Sequence, residues 1–546
     1  MTPAPHEPVV DAAALQAMVA RHVSRRDALR FGALGLGVLG LAPVLAACGG
    51  SSSTSTAAGG ATLTPKAGGT LTIARAQDSV NFDKTMVFSN ASIWVFNQIF
   101  ETLTTSSADG TTVEPGLAKS WTQSSDKLTW TFVLRTDVKF SDGTPMTADD
   151  VKFSIDEASG TTGGWEFINS AIATTSAPDK ATFVIVTKYP WAPMLADLAC
   201  PSNGIIPKDH GGKTKDVFYT APVGTGPFAW DTWNKGSKLT LKKNTNFHEQ
   251  GRPYLDSVVW QVVPDDNTRN IMIQGGQAQV NENPPFSSLT QLKSASGVAV
   301  TLFPSTRTDY ILMNQTKKPY DDVHVRRAIS FAIDRVSLVK TVLFGNGTPA
   351  NSLLMPTVPY YDKNTPGLSY DMTKAKAEMA MSTVPGGFST TYLAASGDAA
   401  DAAVAQILQA SLKQLGITMT IQNADPSAIH DLQNKLDYEI SHSYWTMDIA
   451  DPDELVQFAV IPDSGGKSFN TNYDSKPVQE LAVKAQKTFD SAERQKLYSE
   501  LQDKTAQDAF LAPLYYQPFP YATTSNVGGF FVAPTGLYDL GKTFLA

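Results

Sequence analysis

The 546-residue chain is poor in the residues that most often build reactive centres. It has two cysteines, Cys48 and Cys200, and seven scattered histidines. No Cys/His cluster has zinc spacing and no His-Glu-x-x-His occurs, so the pattern offers no zinc centre. No Gly-x-Ser-x-Gly elbow is present for a serine nucleophile. Charge is also sparse, at 18% of residues and a net −8. Residues 1–47 hold four arginines and three acids, leaving 40 basic against 49 acidic groups beyond them. That balance lacks the basic footprint nucleic-acid binding requires. Hydrophobic residues make up 42% of the chain, enough for globular cores. Beyond residues 31–45 no run is long and apolar enough to span a bilayer, and there is no internal repeat.

Three apparent motifs fail on spacing or place. Gly35-x-Gly37-x-x-Gly40 matches a dinucleotide fingerprint but sits in the apolar N-terminal run. Gly466-Lys467-Ser468 mimics the end of a phosphate-binding loop, with Ile461 where the first glycine is needed. Asp448, Asp451, Asp453 and Glu454 lack the spacing and central glycine of a calcium loop. The sequence therefore gives no support for an enzyme, a metal or a cofactor.

What is present begins near the N-terminus. Arg25 and Arg26 precede the apolar run 31–45, which contains four glycines and Pro43. The run is shorter than the roughly 20 residues of a spanning helix. A basic segment, a short apolar segment and small residues make an export signal. The paired arginines resemble the twin-arginine signal read by a translocase for folded proteins. Leu45-Ala46-Ala47-Cys48 resembles a bacterial lipobox, which implies acylation of Cys48 after removal of 1–47. If so, Cys200 is left without an intramolecular disulfide partner and is read as a buried small hydrophobe. Residues 49–69 are rich in Gly, Ser and Thr and read as a flexible tether, assigned with Cys48 to 48–66. Its extended reach is roughly 70 Å.

The remainder mixes strand and helix patterns. Residues 69–74 alternate as a strand, and the apolar residues of 91–103 fall on one helical face. Residues 128–135 alternate as a strand, and 138–143 end in an Asp-Gly turn. Thr147 with Asp150 starts a helix as a cap and an acidic first turn. Further strands are expected over 181–187, 238–242, 257–263, 308–314 and 417–422. Helices are expected over 323–343, 399–415 and 478–509. This dispersal predicts an α/β fold of two to four domains' worth of core.

One block carries a resemblance. Residues 114–156 contain Glu-Pro-Gly-Leu-Ala-Lys-Ser-Trp, then Val-Lys-Phe-Ser-Asp-Gly-Thr-Pro-Met-Thr-Ala-Asp-Asp-Val-Lys-Phe. Pro222-Val-Gly-Thr-Gly-Pro-Phe228, Pro319-Tyr-Asp-Asp-Val through Asp334-Arg335, and Trp445-Thr-Met-Asp-Ile-Ala-Asp-Pro-Asp453 follow in order. Together they resemble the family 5 solute-binding proteins, the oligopeptide, dipeptide and nickel receptors of ABC importers. The resemblance covers about 67–546. It implies a two-lobed periplasmic-binding-protein-like fold of the class II type, with an extra subdomain on the first lobe. Lobe I would be 67–108, 223–309 and 516–546, the subdomain 109–222, and lobe II 310–515. Chain crossings near Tyr310 and Tyr516 would form a hinge.

The resemblance also implies a site. Asp448 matches the Asp that pairs with the α-ammonium of a peptide, a charge-assisted bond. Trp445 would wall the pocket, and Tyr444 and Thr446 would offer backbone groups to a peptide. Asp451-Pro452 would shape the loop. His442 stands where some relatives carry an Arg for the ligand carboxylate, a departure from the pattern. Asp83, spaced from Phe100-Glu101 as in the family, places Phe88 and Asn90 at the cleft. The expected protein is a monomeric, lipid-anchored receptor on the outer face of a bacterial membrane. It would pass a peptide to an ABC permease and ATPase, with no nucleic-acid partner. A surface sensor, or a receptor for a nickel complex, glycoside or opine-like solute, is the alternative.

Overall fold

The computed structural model describes residues 63–546. Arg25, Arg26, Cys48 and the tether up to residue 62 lie outside the described residues. Three main sheets organise the rest. The first has seven strands in the order Val298–Phe303, Phe519–Thr524, Val280–Glu282, Thr70–Arg75, Ser257–Val262, Lys238–Lys243 and Phe228–Asn234. Thr70–Arg75 lies at its centre, parallel to Ser257–Val262 and Val280–Glu282. Leu71 and Ile73 of this strand are fully buried, as the alternating pattern requires.

The second sheet has six strands, in the order Thr348–Pro349, Leu511–Tyr516, Arg307–Met313, Ile440–Thr446, Ser389–Ala395 and Thr418–Ala424. Helix Ala399–Lys413 links its last two strands, which run parallel, the αβ unit expected around Gly416. The third sheet is antiparallel, in the order Ala118–Gln123, Thr129–Leu134, Thr182–Thr187 and Ile172–Asp179. Thus one sheet gathers strands from three distant stretches, while the others draw on 307–516 and 118–187. The chain passes between the first two sheets at 304–306 and at 517–518. These passages lie together, since the Ser305 hydroxyl donates to the Gln517 carbonyl.

Local chemistry explains most boundaries. Helix Ala148–Gly160 opens on a capping box of Thr147 and Asp150. Two long helices expected from periodicity are each broken in two. The first divides into Val323–Phe331 and Arg335–Val342, with the Asp334 side chain accepting from the Ser337 N–H. The second divides into Lys476–Lys487 and Ser491–Asp508, with Asp490 capping at Glu493. Asp as an N-cap restarts a helix because its carboxylate satisfies an orphan N–H. The helix expected over 91–103 spans only Asn90–Phe96, although Ile99, Phe100 and Leu103 remain buried.

The Val-Gly-Thr-Gly-Pro run is explained by close approach. A Cβ on Gly224 would lie 2.1 Å from the Ile99 carbonyl oxygen, and one on Gly226 2.6 Å from that of Gln98. The Gly226 N–H donates to Ile99 at 2.8 Å. Gly224→Ala is therefore expected to destabilise the fold by about 1–3 kcal/mol, the usual range for overpacking. Denaturant unfolding of the variant checks this.

Candidate functional site

Strand Ile440–Thr446 carries most of the expected site residues, and its alternation divides them between two faces. Trp445 points into an aromatic cluster, 4.4 Å from Phe458 and 5.5 Å from Phe469 between ring centroids. His442 and Tyr444 project from the other face. His442 Nε2 lies 3.1 Å from Asp309 Oδ1, and Nδ1 lies 3.7 Å from Asp401. Burial opposes its charge, but the bond to Asp309 and the two carboxylates win and raise its pKa. The Arg307 guanidinium sits 3.7 Å above the Tyr444 ring and pairs with Asp309. Thr446 is buried, and its hydroxyl has no partner among the described residues. The structure thus does not bring the side chains of His442 and Tyr444 together with that of Trp445. Beyond Ser441 the strand has a strand neighbour on one edge only, since pairing with Ser389–Ala395 stops there.

The aromatic cluster draws on all three sheet regions. Phe88, from the segment after Thr70–Arg75, stacks on Trp165 at 4.6 Å and lies 6.0 Å from Phe458. Phe167 lies 5.7 Å from Phe458. The Trp165 indole is fixed by donating to the Val87 carbonyl at 2.8 Å. Asn90 begins the helix two residues beyond Phe88 and is partly buried. Asp83 accepts from Thr85 and pairs with Lys215 at 3.1 Å. The Gly466-Lys467-Ser468 run is no phosphate loop. Residues 467–470 have φ between 37° and 59°, and this left-handed turn delivers Phe469 to Trp445.

The loop after Trp445 is acidic and dry. Asp448 is 2% exposed, and its Oδ1 has no hydrogen-bond partner among the described residues. Burial pushes its carboxyl up to about 8. Glu454, fully buried, accepts from the Trp445 indole at 2.9 Å and from the Asp448 N–H at 2.8 Å. Burial first, then the Asp448 charge, raises the Glu454 pKa well above its ordinary value. Opposite lies Cys200, whose thiol is raised by burial and then by Glu454 and Asp448. It is a buried, protonated small residue. Among the described residues no group of three or more His, Cys, Asp or Glu is placed to hold a metal ion.

Asp451 does more than shape its turn. Arg494 binds it through two bonds of 2.8 and 3.0 Å, while its Oδ1 accepts from the Asp453 N–H. Sequence reasoning missed Arg494, which lies 43 residues away on another helix with no motif around it.

The family model described as "Bacterial extracellular solute-binding proteins, family 5 Middle" matches residues 112–466. The chain belongs to the family 5 solute-binding proteins. It is 33% identical over 443 residues to the glutathione-binding protein GsiB of Escherichia coli K12, covering 78% of this chain and 84% of that protein. DppA of Helicobacter pylori, solved with the peptide STSA, superposes with a TM-score of 0.79 at 28% identity, covering 88% of this chain and 99% of that one. AppA of Bacillus subtilis, solved with a nonapeptide, gives 0.79 at 25%, covering 88% and 100%. This family 5 member therefore has the two-lobed α/β fold of a periplasmic binding protein. It serves an ABC importer outside the cytoplasm, and its relatives are binding proteins rather than enzymes.

Proposed function

We propose that this solute-binding protein is a lipid-anchored peptide receptor, closing its two lobes on a di- or oligopeptide and handing it to the permease. The observation that carries the reading is the Asp448 carboxylate, nine-tenths buried with an oxygen left open. A buried acid in that state calls for a cation, and a peptide's α-ammonium supplies one with N–H donors. Beyond His442, whose carbonyl accepts from the Gln433 side chain at 2.9 Å, the strand edge has no strand neighbour, and this supports the same reading, because a peptide can add there through backbone bonds alone. Trp445, Phe458 and Phe88 would wall the chamber; Asn90 and the backbones of Tyr444 and Thr446 would meet the chain. His442, held by Asp309 and Asp401, would act through the sheet. The relatives named for glutathione and solved with peptides point the same way.

In this reading the lobes follow the sheets, and passages 304–306 and 517–518 are the hinge. A micromolar receptor needs about 8 kcal/mol of binding free energy and still releases its cargo. Native mass spectrometry of the protein purified from its source tests the ligand class. A bound mass that fragments as a peptide supports the reading, and a non-peptide solute overturns it. For the anchor, Cys48→Ser is expected to move the protein from the membrane fraction to the soluble fraction. Each buried acyl CH₂ contributes about 0.8 kcal/mol, so losing the chains abolishes attachment.

A further inference from the structure

A second cleft, of about 710 Å³, opens at the edge of the first sheet and shares no residue with the aromatic cluster around Trp445. Residues 230–235 line it, with Phe82, Asp83, Asp216 and Tyr219 among the others. Strand Phe228–Asn234 is the last of that sheet and pairs only with Lys238–Lys243. Trp230 stands opposite Leu241 and Trp233 opposite Leu239, with the register shifted between Trp230 and Thr232. Leu239 and Leu241 are two apart and share a face, so both indoles lie on that face as well. Residues three apart fall on opposite faces of a regular strand; here the extra residue of a bulge at Asp231 brings the two indoles together. Both meet Phe82 edge to face, at 4.9 and 5.1 Å between ring centroids. The Trp233 ring is held in place: its N–H donates to Asp78 at 3.0 Å, and the Gly236 N–H donates to the same carboxylate at 2.7 Å.

The charges around these rings are unbalanced. Asp83 is paired with Lys215 and bonded by Thr85. Asp216 and Asp231 are exposed, and their carboxylates have no hydrogen bond or ion pair among the described residues. Lys235 has no ion pair there either, and its Nζ lies 4.7 Å over the Trp233 ring. The Trp233 face thus already takes an ammonium, in a cleft with two uncommitted carboxylates. A ring face attracts a cation through its quadrupole, and a cation with an apolar coat also buries surface against the second indole. A metal ion wants a shell of oxygens instead, and among the described residues no group of three or more acids is placed to give one. We propose that this cleft is a second binding site, for a small organic cation of the quaternary ammonium class. Its head takes the place of Lys235 over Trp233, and Asp231 and Asp216 meet its charge. Lys235 is then a built-in competitor, a cation tethered two residues from the ring it covers.

Equilibrium dialysis of isotope-labelled choline against the purified protein tests this. The competitor is choline's uncharged isostere, in which a tert-butyl group replaces the trimethylammonium. The protein is expected to retain choline and to bind the isostere about 2- to 30-fold more weakly, the span that a cation over an aromatic ring gives. Lys235→Ala is expected to tighten choline binding several-fold, because the ring is vacated. Asp231→Asn is expected to loosen it several-fold. Both side chains are exposed and neither holds another element in place, so the fold survives either change. No retained choline, or an isostere that competes as well as choline itself, overturns the cation site. A choline affinity that either variant leaves unchanged, or that Lys235→Ala lowers, overturns it too, since the cation then sits elsewhere or Lys235 does not compete. None of these residues belongs to the Asp448 loop, so failure here leaves the peptide reading standing.

Discussion

Asp448→Asn is expected to weaken binding of an unblocked peptide by roughly 10- to 100-fold, while the N-acetylated peptide binds both proteins alike. The magnitude is that of one hydrogen bond to a charged group, about 1.5–3 kcal/mol. The substitution keeps the shape of the side chain, so packing changes little. What changes is the negative charge that the carboxyl, held up to about 8 by burial alone, takes on once an ammonium pairs with its open Oδ1. Isothermal titration calorimetry with matched free and acetylated peptides reads the difference directly. An equal loss for both peptides would assign Asp448 to the loop instead. The double comparison matters because Glu454 bonds the Asp448 backbone at 2.8 Å, and a disturbed loop would weaken every ligand.

Arg494→Met is expected to cost about 3–5 kcal/mol of folding stability, the range for breaking a buried pair from one side. The guanidinium is 5% exposed and binds both oxygens of Asp451, with further bonds to the Ala485 carbonyl and the Tyr498 hydroxyl. Methionine keeps the volume and leaves the Asp451 charge in place without its cation. Because Asp451 stands beside Asp453 and close to Asp197, its uncovered charge also falls on neighbours that have none to spare. Urea unfolding of the two proteins measures the loss. Asp451→Asn in the same background should recover part of it, since the two residues are coupled.

The sequence was most readable where a residue's own chemistry decides the outcome. Alternation placed the strands at 70–75, 129–134 and 257–262 almost to the residue. Thr147 with Asp150 gave a helix start because the cap is made within four residues. The breaks at Asp334 and Asp490 carried the same cap signal, but unbroken apolar periodicity on either side masked it. The site divides along the same line. Trp445 and Asp448 could be picked out because they share one short motif. Phe458, Phe469 and Trp165 are brought in by three separate elements, and no local pattern marks any of them. His442 shows a further limit: its neighbours Asp309 and Asp401 lie 133 and 41 residues away, and strand pairing alone sets which face it takes.

The order of strands in the first sheet has a consequence for synthesis. Phe519–Thr524 is an inner strand, paired on one side with Val280–Glu282 and on the other with Val298–Phe303. Both neighbours leave the ribosome more than two hundred residues earlier. Until residue 524 has been made, that sheet has a gap and two unsatisfied edges. The half of the protein that starts the chain is thus completed late, and a product that stops short of residue 519 lacks an inner strand of that sheet. Any sorting step that accepts only folded chains would therefore also check that translation had passed this strand.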